Sequence, residues 1–399
     1  MSSAEQIREW IIKAELMTAD AAEEWIGRWR VETVASSGVD DLVAWLVAQD
    51  VLSDFHGEAF LAGVAGPYLV GPYRVYEKIA AGRLGTIFRA VHVEFQQPVS
   101  LKVFPSELSE SPEKFARLGR EARVAVEVDH PNLVRTFHIG EEAGVTYMAI
   151  EDLHGETLAE RLAREKKLPF PAACAIVRQA AVGLDYLHSL GIVHRDVQPG
   201  NLWITPSGAV KIMEFGAARD ALEQLDALAS GEQPTMMDVI VGTFDYMAPE
   251  QAQNAHEADA RSDIYSLGCT LFHCLTGQVP FPDKNPIRQM MRHNNEAPKP
   301  VTDLAPDTPA ALAETVAACL AKKPGDRYKL AKDVAWAIEQ FVAPADLSPS
   351  DETAAINEDF LQWSRSAEGP SAKISVAVSS PEGAEFMHWL EDRYGSGGK

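Results

Sequence analysis

With 399 residues, 46% hydrophobic and 24% charged, the chain is too long for one ordinary domain and carries ample apolar material for a globular core. Its net charge of −22 argues against a general binder of nucleic acid or anionic membrane, which needs the opposite sign. The flanks are proportionally the most acidic, with 12 acids to 4 bases over residues 1–66, 36 to 28 over 67–343 and 10 to 4 over 344–399, as expected of a solvated surface. Four scattered cysteines (Cys174, Cys269, Cys274, Cys319) show no metal-ligand spacing, and Cys269 and Cys274, in an apolar helix-like run, read as small core residues. The opening residues do not form a signal peptide, and no run approaches the roughly 18 apolar residues of a membrane span, so the expected home is the reducing cytoplasm.

In chain order, residues 4–63 read as helices. Ile7, Trp10, Ile11 and Ala14 recur at helical spacing, and Thr18 is placed to cap a helix beginning at Ala19 whose Trp25, Ile26 and Trp29 share a face. The segment 40–49 groups Leu42, Trp45 and Leu46. Four of the eight tryptophans lie in this region. They read as the core of a small helical domain, 1–66, with an exposed partner-binding patch as the alternative. A turn-rich connector from Gly66 to Tyr73 follows, then alternating β-branched stretches to about Val103, then a mostly helical pattern to about Val342. Residues 344–372 show no periodicity and read as a flexible linker. In the tail, 373–399, residues 373–378 suit a strand, and 382–393 suit a short amphipathic helix that docks back or takes a partner, with Phe386, Trp389 and Leu390 on one side.

Several ordered stretches in the middle of the chain carry chemistry. Ala80, Gly82 and Gly85 punctuate a hairpin-like segment ending in Ile87, where glycine lets backbone approach a phosphate. Then come Val99-Ser100-Leu101-Lys102, Glu121 on a helix-patterned stretch, His130-Pro131-Asn132, and Tyr147 to Leu153. His194-Arg195-Asp196-Val197-Gln198-Pro199-Gly200-Asn201 is the most specific of them, followed by Glu214-Phe215-Gly216, Gly242-Thr243, Ala248-Pro249-Glu250, Asp263 in a helical run, and Arg327. Over about residues 73–343 this order resembles the protein kinases, and in particular the bacterial eukaryote-like serine/threonine kinases.

The resemblance implies an α+β, two-lobed protein kinase fold: a small antiparallel β lobe (67–153) and a larger helical lobe (154–343), with the helical domain before it and the flexible tail behind. It implies ATP with Mg²⁺, or Mn²⁺, as the cofactor pair, and a protein substrate or a regulatory protein partner. Ala80, Gly82, Gly85 and Ile87 would then lie over the nucleotide, Ser100 and Trp203 on either side of adenine, and the backbone of Glu151 to Leu153 along its edge, with Ile150 as gatekeeper. Lys102 would contact phosphates and pair with Glu121. Asp196 would accept the substrate hydroxyl proton, and Asn201 and Glu214 would hold metal. Glu250 would pair with Arg327, and Asp263 would anchor the catalytic loop from below. Arg195 implies control by phosphorylation of the segment holding Ser230, Thr235 and Thr243, with Thr235 the expected site and a flexible acidic loop of unmodified hydroxyls the equal alternative.

Three departures bear on activity. Glu214 stands for the metal-binding aspartate, and its extra methylene moves the carboxylate by about 1.5 Å where Mg²⁺ demands near-octahedral contacts. Gln198 stands for the lysine that neutralises the γ-phosphate, and Thr243 is a further donor available there. Trp203 stands for an aliphatic residue beneath adenine, where an indole would stack on the base or fill its pocket. Lys102, Glu121, Asp196 and Asn201 are intact. The balance favours a pseudokinase or very slow kinase that still binds nucleotide and acts as a signalling switch or scaffold, with docking through the N-terminal helices or C-terminal helix. The alternative is an active kinase transferring the ATP γ-phosphate to protein Ser or Thr.

Overall fold

The computed structural model describes residues 3–33, 38–82, 85–104, 128–213, 243–253, 258–343, 356–366 and 380–395. Glu121, Glu214, Ser230, Thr235 and the strand expected at 373–378 lie outside them. Two compact units emerge: Met1–Val126, Thr136–Asp152 and Thr353–Lys399 form the first, and Glu127–Arg135 with Leu153–Glu352 the second.

The first unit begins with helices α1 (Ser3–Lys13), α2 (Ala19–Glu32), α3 (Val39–Ala48) and α4 (Asp54–Leu61). Thr18 caps α2 by accepting from the Ala21 N–H, and Ser53 caps α4 by accepting from His56, so each helix starts where a hydroxyl satisfies an orphan donor. The strands β1 (Leu69–Val70), β2 (Tyr73–Gly82), β3 (Gly85–His92), β4 (Pro98–Val103), β5 (Thr136–Glu142) and β6 (Val145–Ile150) form an antiparallel sheet ordered β1-β2-β3-β4-β6-β5. Alternation along the strands sends Phe88, Val99, Leu101, Val103 and Ala149 to one face. There they join Ile7, Ile11, Ile26, Leu42, Leu46 and Phe55 in a single core. The N-terminal tryptophans are part of that packing, with Trp29 buried and Trp10, Trp25 and Trp45 packed against it. They are core, as the plainer reading held, and the helices are bound into the sheet's own core.

The second unit opens with strand β7 (Glu156–Thr157), α5 (Leu158–Glu165) and α6 (Phe170–Ser189); β7 joins β8 (Leu202–Ile204) and β9 (Val210–Ile212) in a three-stranded sheet. The long helix α7 (Ala260–Thr276) is buried over most of its length against α6. Around it stand α8 (Pro286–Asn295), α9 (Ala310–Cys319) and α10 (Ala331–Glu339). Gly268 lets α7 and α9 touch, since a Cβ there would lie 2.5 Å from that of Cys319. All four cysteines are free and buried, and burial pushes their thiols up, that of Cys174 to about 12. Among the described residues no helix is long and apolar enough to cross a membrane.

The chain ends in helices α11 (Glu358–Arg365) and α12 (Pro381–Leu390), both in the first unit. The span 344–372, expected as an aperiodic flexible linker, therefore contains a helix, capped by Asn357 and packed on β5. Its eight residues offer one pair of aromatic anchors, Phe360 and Trp363, which is too short a pattern to read as periodic. Phe360 is fully buried against Phe137 and His92, and Trp363 stacks beside it. The tail helix expected near 382–393 does dock back, burying Phe386, Met387 and Leu390.

Trp363 covers two histidines, His92 on β3 and His138 on β5, at ring separations of 4.4 and 5.0 Å. Tyr73 and Tyr147 complete the aromatic cluster. His92 Nδ1 accepts from the Glu94 and Phe95 backbone, whereas burial drives both imidazoles down to about 4, and the nearby His138 further disfavours charge on His92. The unfolded chain would take up protons near pH 6.5 and the folded chain only near pH 4, so stability falls as pH drops through that window. Each histidine contributes a slope of up to about 1.4 kcal/mol per pH unit. Denaturant unfolding at pH 7, 6 and 5 should show this loss, and His92→Gln should flatten it. An unchanged slope in that variant would contradict the assignment.

Candidate functional site

The expected nucleotide residues of the first unit share the sheet face opposite the helices. Ile87 pairs across the strands with Ala80 and with Lys102, Lys102 pairs with Met148, and Ser100 pairs with Ile150. Alternation therefore gathers Ala80, Ile87, Ser100, Lys102 and Ile150 on one side while Phe88 and Leu101 enter the core on the other. Lys102 is 5% exposed, and its ammonium lies 5.2 Å from the Phe104 ring centroid. Glu151, directly after β6, is buried. The partner expected for Lys102, Glu121, falls outside the described residues.

The β2–β3 hairpin closes through Gly82 opposite Gly85. Gly85 has φ +126°, and a Cβ there would lie 2.2 Å from the Val103 carbonyl oxygen. The glycine is thus required by the close approach of β4, independently of any phosphate.

In the second unit, the loop from His194 to Asn201 is fixed at several points. Asp263, buried on α7, accepts from the backbone N–H of His194 (2.8 Å) and Arg195 (2.7 Å) and is bonded to His188 Nε2 (2.8 Å). It anchors the loop as expected, and the charged acceptor strengthens each bond. Arg195 sits at φ +68°, a left-handed conformation that non-glycine residues adopt at a cost of roughly 1–3 kcal/mol. Its carbonyl accepts from Gln251 Nε2 at 2.9 Å, so the loop is held from both sides. His194 donates from Nε2 to the Met213 carbonyl (2.8 Å) and accepts the Asp196 N–H at Nδ1 (3.2 Å), which fixes its tautomer.

Asp196, Gln198 and Asn201 come together as expected. Gln198 Nε2 donates to Asp196 Oδ1 at 2.8 Å. Asn201 Nδ2 donates to Asp196 Oδ2 at 3.0 Å and to its backbone oxygen at 2.8 Å. Both carboxylate oxygens are thereby met by neutral amide donors. Because the two Nδ2 hydrogens of Asn201 are committed, its Oδ1 is the atom left for a cation, and a hard oxygen donor suits Mg²⁺ or Mn²⁺. The second expected ligand, Glu214, lies outside the described residues.

Trp203 on β8 is 2% exposed, and its indole N–H donates to the His154 carbonyl at 2.8 Å. The ring is therefore anchored by its own chain. Leu153 is buried as well. Thr243 opens a 3-10 turn ending at Tyr246. Sequence reasoning missed His188, His154 and Gln251, whose roles rest on partners 75, 49 and 56 residues away. The adjacency of Gln251 to Glu250 was the available signal for one of them.

A family model, the Protein kinase domain, matches residues 73–336. Serine/threonine-protein kinase PknA of Mycobacterium tuberculosis is 35% identical over 269 residues, 66% of this chain and 60% of that protein. PknB of Mycobacterium leprae is 34% identical over 272 residues, 67% of this chain and 42% of that protein. A probable serine/threonine-protein kinase of Clostridium acetobutylicum is 32% identical over 270 residues, 67% of this chain and 40% of that protein. The matched part thus spans from two fifths to three fifths of these relatives. The crystal structure of the Mycobacterium tuberculosis PknI kinase domain superposes with a TM-score of 0.55 at 25% identity, covering 69% of this chain and 99% of that one. Sheet, helical unit, anchored loop and matched motifs agree, and the chain belongs to the protein kinase family.

Proposed function

We propose that this chain is a serine/threonine protein-kinase-like protein that binds ATP but transfers its γ-phosphate very slowly or not at all, and that serves as a signalling switch or scaffold. The observation that carries this reading is the Gln198 amide bonded to Asp196. A neutral donor occupies one oxygen of the would-be base, in the place where a positive charge would face the phosphates.

Asn201 and Glu214 would hold Mg²⁺ or Mn²⁺, whose charge would neutralise the phosphates. Asp196, oriented by Asn201 and Gln198, would accept the proton of an incoming Ser or Thr hydroxyl. Lys102 and the hairpin bearing Gly82 and Gly85 would hold the nucleotide. Trp203 is tied to His154, which favours a fixed wall beside the base over a movable stacking plate. A regulatory partner would dock on the outer surface of the N-terminal or C-terminal helices. The inner faces of the N-terminal helices supply core to the sheet, so docking would fall to their outer faces. A cytoplasmic location and control through Thr235 complete the reading.

Transfer of labelled phosphate from Mg·ATP or Mn·ATP, to the chain itself and to a generic protein acceptor, tests it. The unaltered chain should lie within about tenfold of Asp196→Asn, because loss of one preorganised charge-stabilising donor alone costs about 10²–10³. ATP should nevertheless raise the unfolding temperature. Turnover far above the blank would instead establish the active serine/threonine kinase.

A further inference from the structure

The C-terminal segment ends against the back of the glycine-rich hairpin. Beyond α12 the chain continues as a π-helical turn, Glu391–Gly395, that contacts β3. Lys78 on β2 and Phe88 on β3 are directly opposite one another in the ladder. The Tyr394 ring meets both: Phe88 edge-on at 5.3 Å between centroids and 79° between planes, and the Lys78 ammonium at 5.0 Å. One residue along β3 is Ile87, and opposite it is Ala80, both of the expected nucleotide face. Tyr394 therefore grips the hairpin from the face away from the expected nucleotide side, a few residues from Gly82 and Gly85.

The grip has its own anchor. The Tyr394 hydroxyl donates to Glu58 Oε2 at 2.8 Å, and Arg393 reaches the same carboxylate at 3.3 Å. Glu58 lies on α4, whose Phe55 packs on Phe88 at 5.5 Å. Phe386 and Leu390 bury α12 so that Tyr394 is held in place rather than fraying. Helix α4 and the turn after α12 thus converge on one cross-strand pair. A two-stranded ribbon is marginal by itself, and its tip moves unless its faces are packed.

We propose that Tyr394 is a positioning residue: it sets the conformation of the glycine-rich hairpin and, through it, the affinity for nucleotide. The second half of this statement rests on the nucleotide-binding reading above; the first half does not. The tail thereby becomes a control point, since whatever lifts residues 381–395 from the sheet loosens the hairpin without touching the nucleotide face.

The test compares the full chain with Tyr394→Ala and Tyr394→Phe by amide hydrogen exchange and by ATP titration. Tyr394→Ala should speed exchange across residues 78–88 while leaving α6 and α7 unchanged, and should weaken ATP by about fivefold, as expected from one aromatic and one cation–π contact. Tyr394→Phe keeps the ring and loses only the Glu58 bond, so it should retain most of the protection and affinity. Unchanged hairpin exchange in Tyr394→Ala overturns the proposal. So does a loosened hairpin with unchanged ATP affinity, which would make the contact structural only. If the unaltered chain binds no ATP, the nucleotide-binding reading falls, and hairpin exchange alone decides whether Tyr394 positions the hairpin. Glu58→Gln guards against misfolding of the alanine variant: it removes the charge that fixes Tyr394 and Arg393 while preserving volume, and it should loosen the same residues to a smaller extent.

Discussion

Changing Gln198 to Lys and Glu214 to Asp together should raise phosphate transfer at least about 10²-fold over the unaltered chain. Asp196→Asn in the repaired background should return it to the blank. The first substitution places a full positive charge where a neutral amide now donates to Asp196 Oδ1 at 2.8 Å. In a water-excluded site such a charge stabilises developing phosphate charge far more than it does in bulk solvent. The second withdraws a methylene, moving the carboxylate by about 1.5 Å toward the range Mg²⁺ accepts, and a misplacement of about 1 Å costs about a hundredfold. The single variants apportion the effect. If Gln198→Lys alone restores most of the rate, the catalytic loop is the lesion; if Glu214→Asp alone does, the metal site is. The loop around Asp196 needs no repair of its own, because Asp196 is oriented by Asn201 and the loop is pinned by Asp263. A double variant as silent as the blank would refute the two-lesion account and implicate Trp203, whose indole is fixed to His154.

The loop from His194 to Asn201 was legible because its side-chain contacts are local. Asp196, Gln198 and Asn201 lie within six residues, and any fold that presents the loop brings their side chains together. The sheet face was legible for a similar reason: period-two alternation places Ser100 and Lys102 on one side whatever covers the other. What was not legible depends on distant partners. The identity of Gln198 is plain in the sequence, but the direction of its amide is not. Whether Trp203 would stack or fill could not be read, since its N–H is satisfied by a carbonyl 49 residues away. Helix α11 escaped notice because its burial is decided by His92, Phe95 and Phe137, three positions on or beside strands more than 200 residues earlier. Gly85 carries a second requirement that could not be read, since a glycine in a phosphate loop and a glycine under a neighbouring strand look alike in sequence. Glu250 and Arg327 were paired only through resemblance, 77 residues apart.

That pair leads to the largest expected loss of stability: Arg327→Ala should lower the unfolding free energy by about 3–5 kcal/mol. The Arg327 side chain is fully buried, and each of its guanidinium N–H groups has an acceptor. Two go to Glu250 Oε1 and Oε2 at 2.6 and 2.8 Å, and the others to the carbonyls of Ala321, Arg261 and Lys322. Burial raises the Glu250 carboxyl, but hydrogen bonds from Arg327 and Ser262 together with the Arg327 charge outweigh it and hold the group below its ordinary value. Removing the guanidinium leaves a largely buried carboxylate with Ser262 and its own backbone N–H in place of an ion pair, and orphans three backbone carbonyls. Arg327→Lys should recover little, because an ammonium cannot satisfy the fork. The pairing stabilises above the ordinary carboxylate range and is lost as pH falls through the lowered value, so the gap between Arg327→Ala and the unaltered chain should narrow on acidification. Denaturant unfolding at pH 7 and at pH 4 measures both, and a difference under about 1 kcal/mol at pH 7 would contradict the account. Damage should also reach the loop that carries Asp196. Glu250 precedes Gln251, whose amide holds the Arg195 carbonyl, and Arg195 is the strained residue next to Asp196. Loss of the bridge should therefore speed hydrogen exchange at residues 194–196, even at denaturant concentrations where the helices around α7 remain folded.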